Sequence, residues 1–209
     1  MGSKERRERE RTETRGRILD AARELFVEDG VEAVTMRAIA DRIDYTPTAI
    51  YYHFADKESL ILELCHVDML TLSKALQSVA QVPDPIERLR QLGLAYAEFG
   101  LGHPSHYRFL FMTPSPKEAA GVHAHSEIVN PEEDGYLLLM KVVGDAIASG
   151  RLRPELTDVE QVAHVVWSGV HGVVSLFLAK GQDPWIEWPN PMETVKLMID
   201  VTMRGIQRE

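Results

Sequence analysis

Residues 35–57 read TMRAIADRIDYTPTAIYYHFADK, and they describe two short helices around a tight turn, with a third helix starting directly behind them. Thr35 is a good N-cap, because its hydroxyl can accept a bond from an orphan amide of the first turn; Ile39, Ala40 and Ile43 then form a narrow apolar stripe at helical spacing. Ile43-Asp44-Tyr45 interrupts that stripe. Thr46 and Pro47 restart it, Thr46 as cap and Pro47 at the first helical position, where a missing N–H costs nothing. The second helix, TPTAIYYHF, carries only Ile50 and Phe54 at core-facing spacing and is too polar for a core element. Its Thr and Tyr side chains suit presentation. In a helix-turn-helix pair the second helix enters the DNA major groove, where small residues allow close approach and Thr or Tyr reach phosphates, base edges and thymine methyls.

The pattern T-h-R-x-I-A from Thr35 to Ala40, a turn, Tyr51 two residues before His53-Phe54, and Lys57 at the next helix start resemble the TetR family of transcriptional regulators. The likeness covers roughly residues 15 to 60. One departure is Asp44, where the turn of this family usually carries Gly; Asp tolerates φ > 0, so the turn survives with modest strain. The resemblance implies roles by position. Thr35, Arg37, Thr46, Tyr52, His53 and Lys57 match positions that grip phosphates, and Pro47, Thr48, Ala49 and Tyr51 match positions that face the bases. Lys57 in the first turn of its helix agrees with this, since amide ends and dipole favour a phosphate there. One of the two tyrosines is expected to pack against the first helix.

A net charge of −9 argues against a nucleic-acid partner until its distribution is read. Residues 4–17 hold Lys4, Arg6, Arg7, Arg9, Arg11, Arg15 and Arg17 against four glutamates, a basic arm on an acidic protein. Glu5 with Arg9 and Glu13 with Arg17 are i,i+4 pairs in the favourable order, so the arm either extends the first helix or frays in solvent. The sequence contains no run of 18 apolar residues and no secretory leader, which predicts a soluble, cytoplasmic protein. A single Cys65 at helical spacing among apolar residues fits a reduced compartment and a core thiol.

Behind the arm, Ile18, Ala22, Leu25 and Phe26 define a helix that stops at Gly30, completing a three-helix head; residues 1–56 are read as the arm and DNA-binding domain, and 57–209 as a helical ligand-binding and dimerisation domain. Asp56 caps a helix running to about Val79, and Asp84-Pro85 starts another that closes at Gly100 and Gly102. His103-Pro104 opens an aromatic segment, residues 113–130 read as a loop, and a helix spans about 131–149. Thr157 and Glu160 form a capping box for a helix to about Lys180, and Asn190 and Glu193 a second one for the last helix. The fold class is therefore all-α.

Ser168, Gly172, Ser175 and Ala179 share one face of the helix from 157, and Val195, Ile199 and Thr202 one face of the last helix. A small-residue seam lets another helix approach closely, so these residues are read as a homodimer interface; the alternative is that both helices only close the monomer core. Trp167-x-x-x-His171-Gly172 resembles the Trp-His-Gly signature of one C-terminal subgroup of TetR regulators. Tyr96, Phe99, Tyr107, Phe111, Trp167 and His171 are candidates for an apolar effector pocket, against the ordinary reading of aromatics as core. His103, His106, His123 and His125 invite a metal site but have generic spacing, and no phosphate loop, nucleophile elbow or metalloprotease motif is present, so neither metal, cofactor nor enzyme is expected. The reading is a ligand-responsive DNA-binding regulator, a repressor that a small, mainly apolar effector releases from a pseudo-palindromic double-stranded operator. Its rivals are a helical ligand-binding or interaction module that does not read DNA, and a metal or cysteine-oxidation sensor.

Overall fold

The structure, a computed structural model, describes residues 3–113 and 134–208. They fold into α1 (Ser3–Asp29), α2 (Met36–Arg42), α3 (Pro47–Tyr51), α4 (Lys57–Gln77), α5 (Pro85–Gly102), α6 (Pro104–Phe111), α7 (Gly135–Ala148), α8 (Val159–Lys180) and α9 (Pro191–Ile206). Extended pairing among the described residues is confined to a bridge between Leu152 and Gln207. The described residues are all-α, as their patterning requires. The expected loop at 113–130 lies, from residue 114 on, outside the described residues, as do 131–133 and both His123 and His125.

Helix boundaries follow the local signals closely. Thr35 and Thr46 cap α2 and α3 by accepting from the amides of Ala38 (3.1 Å) and Ala49 (3.3 Å). Asp44 takes φ 58° in the turn between them, and Gly30 ends α1 at φ 82°. Asp56 and Ser59 cap α4 reciprocally, at 2.7 and 3.3 Å, and the Ser59 amide and hydroxyl hold the Asp56 carboxyl below its ordinary range. Asp84 caps α5 through the amides of Ile86 and Glu87 and also pairs with Arg151. Two boxes differ from expectation. Asp158, not Thr157, caps α8 by accepting from Gln161, because its carboxylate is the stronger acceptor one residue closer to the helix. Asn190 caps α9 as read, but Glu193 turns to Lys196 at 2.8 Å rather than back to the cap.

The chain forms two compact units. One holds the chain up to Asp68 together with a stretch beginning at Ser105; the other holds Met69–Pro104 and the chain from α7 onward. The helix α4 therefore contributes its first half to the head unit and its second half to the other, so the units do not divide at residue 56 and α6 belongs with the head. In the second unit α5 packs against α7, α8 and α9, and α8 against α9. A Cβ on Gly169 would lie 2.7 Å from the Met198 sulfur and one on Gly93 3.1 Å from Ile199 Cδ1, so these two glycines set how closely the helices approach. By length and composition α8 is apolar enough to cross a bilayer; Val162, Val166, Val170 and Val174 use that character in the core of its own unit.

The head core joins Ile18, Phe26, Ile39, Ile50, Phe54, Leu60 and Leu64 with Phe109 of α6, which stacks on Phe26 at a centroid distance of 5.9 Å. Charge is sealed inside it. Arg23 is 4% exposed and Asp68 fully buried, and they form a fork of two bonds, Nε to Oδ2 at 2.8 Å and Nη2 to Oδ1 at 2.7 Å. Asp20 takes the remaining Nη1 at 2.7 Å, and His106 Nδ1 of α6 lies 2.9 Å from Asp68 Oδ1. Burial works against the Arg23 charge, but the bonds and charges of Asp68 and Asp20 outweigh it and hold the guanidinium pKa above its ordinary value. Cys65, one turn before Asp68, has its thiol pushed up to about 11 by burial and by that carboxylate, so it carries no thiolate for redox sensing.

Asp68→Ala leaves a buried guanidinium without its carboxylate and is expected to lower stability by ~3–5 kcal/mol, whereas Arg23→Met with Asp68→Leu should recover most of that loss. Urea unfolding of the two variants checks this. Equal destabilisation by both would show that the pair is not the source of the cost.

Candidate nucleic-acid interface

Three arginines fasten the helix-turn-helix pair to its supports. Arg15 of α1 donates to the His53 carbonyl at 2.8 Å, lies over the Phe54 ring at 4.1 Å, and pairs with Glu63 of α4 at 3.3 Å. Arg17 donates to the Ile43 carbonyl at 3.3 Å and the Tyr45 hydroxyl at 3.4 Å, gripping the turn between α2 and α3; it does this in place of the expected pairing with Glu13. Arg42 of α2 reaches back to Glu24 and Glu28 at 3.4 and 2.7 Å. With Ile50 and Phe54 buried beneath it, α3 is held from one side only. Its other side is open.

That open surface carries Thr46, Thr48, Tyr51 and Tyr52. Tyr51 is 53% and Tyr52 74% exposed, so neither joins the core, where Ile50 and Phe54 fill the space beneath the helix; Tyr52 touches α1 through the Arg11 guanidinium, 5.9 Å from its ring centroid. Pro47 and Ala49 are half-buried, and Arg37 is exposed beside Asp41 at 3.8 Å. His53 is different from its neighbours. Its Nδ1 is buried with no hydrogen-bond partner among the described residues, and burial, then the charges of Arg11 and Arg15, lower its pKa. The imidazole is neutral at pH 7, a poor phosphate grip through charge. Lys57 starts α4 half-buried.

The candidate effector residues fall into two groups. Within the second unit the Tyr96 hydroxyl lies 3.3 Å from His171 Nδ1, and Trp167 meets His171 edge-on at 6.3 Å. Tyr136 and His164 continue the aromatic cluster at 6.2 and 6.5 Å from Trp167. Phe99 is buried against His103. Burial lowers the His171 pKa and keeps that imidazole neutral. Tyr107, fully buried, and Phe111, 5.1 Å from it, belong to the head unit.

The interface reading needs one correction. Val195 is fully buried and Ile199 is 5% exposed, so both close the core of their own unit and offer nothing to a partner. On α9 the outward apolar residues are Leu197 and Val201, at 64% and 62% exposure. Periodicity points to the longer apolar stripe of α9 and passes over these two, which form the shorter one. On α8, Ser168, Gly172 and Ala179 are exposed as read, flanked by Val165 and Leu176; a Cβ on Gly172 would meet nothing within 4 Å. Ser175 and Thr202 are half-buried.

Of the histidines, His103 lies tilted against Phe99 at 5.3 Å and His106 pairs with Asp68, and among the described residues no three His, Cys, Asp or Glu side chains gather for a metal ion.

Known proteins resemble this chain in sequence and in fold. Residues 18–64 match the family model described as "Bacterial regulatory proteins, tetR family", and residues 89–202 match "Tetracyclin repressor-like, C-terminal domain". The HTH-type transcriptional repressor KstR2 of Mycobacterium tuberculosis is 30% identical over 150 residues, covering 71% of this chain and 73% of that protein. The HTH-type transcriptional activator FasR of Mycolicibacterium smegmatis is 37% identical over 123 residues, 56% of this chain and 55% of its own. Among solved structures, the ketosteroid transcriptional regulator KstR2 of Mycobacterium tuberculosis superposes with a TM-score of 0.71 at 24% identity, covering 94% of this chain and 96% of that one. The fatty acid degradation regulator FadR of Bacillus halodurans gives 0.70 at 17% identity, covering 90% and 94%. With both models matched in order on one chain, and the second spanning more than half of it, this protein belongs to the TetR family of DNA-binding transcriptional regulators.

Proposed function

We propose that the protein is a repressor that acts in the cytoplasm as a homodimer on a pseudo-palindromic operator and is released from it by a small, mainly apolar molecule. The observation that carries this reading is the open face of α3, where Thr48, Tyr51 and Tyr52 stand clear of a helix fastened from behind. A single five-residue helix reads few base pairs, so two copies related by a two-fold axis supply the rest. Functionally, the arm and helix-turn-helix of residues 1–56 read DNA and residues 57–209 sense and pair. The Trp167, His171 and Gly172 signature supports a body of the Trp-His-Gly subgroup.

The effector class follows from the second unit. Tyr96, Phe99, Trp167 and His171 offer aromatic surface with two neutral polar atoms, which suits an apolar molecule bearing one hydrogen-bonding group. Similar structures include regulators named for ketosteroids and for fatty acid degradation, which supports the same chemistry. Repression is favoured over activation by the repressor KstR2, the relative that aligns over more of the chain. Because α4 belongs to both units, strain imposed in the second has a covalent path to the head.

Three outcomes check this reading. Thr48→Ala should change base preference at one position of each half-site by ~1–3 kcal/mol, while Lys57→Ala weakens all sequences alike and lowers the salt slope by about one per protomer. Binding assays on duplexes selected from a random library separate the two, and equal sequence-independent losses would overturn the base-reading role of Thr48.

Gly172→Leu, and separately Leu197→Glu with Val201→Glu, should convert a dimer to a monomer at unchanged helicity, since none of the three contributes to the protomer core. Sedimentation is the measurement; an unchanged dimer in both variants would show pairing through another surface.

In a thermal-shift screen of fatty acyl and steroid compounds, hits should weaken operator binding by a coupling of ~1–3 kcal/mol, and His171→Phe should blunt the response. Compounds that stabilise the protein yet leave operator affinity unchanged would sink release by such effectors.

A further inference from the structure

Helix α1 is a single helix from Ser3, so the basic arm is ordered onto the head rather than trailing from it. The direction of each arm side chain is then fixed by the helix. At about 100° per residue, Lys4, Arg7, Arg11 and Arg15 fall within an arc of roughly 80°. The same arc, continued along α1, contains Ile18, Ala22 and Leu25, which are buried in the head core. One face of α1 thus runs apolar where the head covers it and turns basic where it passes beyond. Two contacts anchor that face beside the recognition element. Arg15 holds the His53 carbonyl and Phe54, and the Arg11 guanidinium lies 5.9 Å from the centroid of the exposed Tyr52 ring.

The acids sit elsewhere. Glu5, Glu8 and Glu13 line one shallow depression with Arg9 and Thr12, and Arg6 pairs with Glu10 at 3.6 Å on the far side of the helix. Only Glu8 approaches the edge of the basic stripe. Four of the seven cations of residues 4–17 thus share a face that holds no carboxylate, while Arg6, Arg9 and Arg17 lie on the side that carries the glutamates.

We propose that the Lys4, Arg7 and Arg11 face of α1 is a second DNA-contacting element, binding the phosphate backbone that flanks the groove entered by α3. This rests on the DNA-binding reading of α3 and extends it. The stripe from Lys4 to Arg15 is ~16 Å long, and duplex DNA carries one negative charge per ~1.7 Å of axis, so several phosphates lie within its span. The contact carries affinity without sequence information.

The test compares two double variants with identical net charge, Arg7→Gln with Arg11→Gln on the stripe and Arg6→Gln with Arg9→Gln off it. The probes are a duplex that the wild-type protein selects from a random library and a scrambled duplex of the same length. Binding is measured across salt concentrations, with helicity recorded for each protein. The stripe variant should lower the salt slope by about two per protomer, about four for a bound dimer, and weaken both duplexes by a similar factor, ~10-fold or more; the off-stripe variant should change neither by more than its distant charge allows. Equal slopes in the two variants, or an unchanged slope in the stripe variant while the wild type still selects a sequence, overturn the proposal and leave the role of α3 standing. A wild type that selects no sequence overturns the reading of α3, and this inference with it.

Discussion

A guanidinium and a carboxylate shut away from water hold the head together. Taking Arg23 and Asp68 out of solvent costs several kcal/mol per ion, and only paired, well-aligned bonds with partners for the remaining atoms repay it. Here the fork of two bonds, the third donor taken by Asp20 and the approach of His106 satisfy that condition. Apolar residues of similar volume would fill the same space at less risk, but they would tolerate sliding. A planar fork does not. It fixes the axial position of α1 against α4 and brings α6 to the same point, and from α1 so fixed, Arg15 and Arg17 reach the backbone around α2 and α3. The position of the recognition element is thus inherited from an ion pair that never touches it.

Much of this was legible in the residues. Thr35, Thr46, Asp84 and Asn190 act as caps, Pro47 opens α3, and Asp44 takes the positive φ that the turn demands, because each of these is decided by groups a few positions apart. What depends on distant partners was harder to read. Asp68 interrupts the i,i+4 run Leu60, Leu64, Leu72, Leu76, and a charge in such a run is a sign that a buried partner exists; nothing local says that the partner is Arg23. The same limit explains α9. It has apolar residues on two faces, and periodicity alone cannot tell the inward pair, Val195 and Ile199, from the outward pair, Leu197 and Val201. The exposed tyrosines follow this pattern too, since whether a ring packs or projects depends on what already fills the space beneath it.

Glycine does two different jobs along α8. Gly169 is small because Met198 of the same unit lies against it, whereas Gly172, one turn on, faces open space. One position answers to the protomer's own packing and the other is free of it. The stripe of small residues read from sequence holds Gly172 and not Gly169, but what each glycine is small for is told only by its neighbours.

The brevity of α3 has a consequence for how such a protein changes over time. Five residues make barely more than one turn, far below the length at which a helix persists alone, so its existence rests on Thr46, Pro47, Ile50 and the arginines behind it. Thr48, Tyr51 and Tyr52 contribute almost nothing to that support. Substitutions at these three sites are therefore nearly neutral for folding while they alter what is read, and a lineage can drift to new target sequences without first accumulating stabilising changes elsewhere.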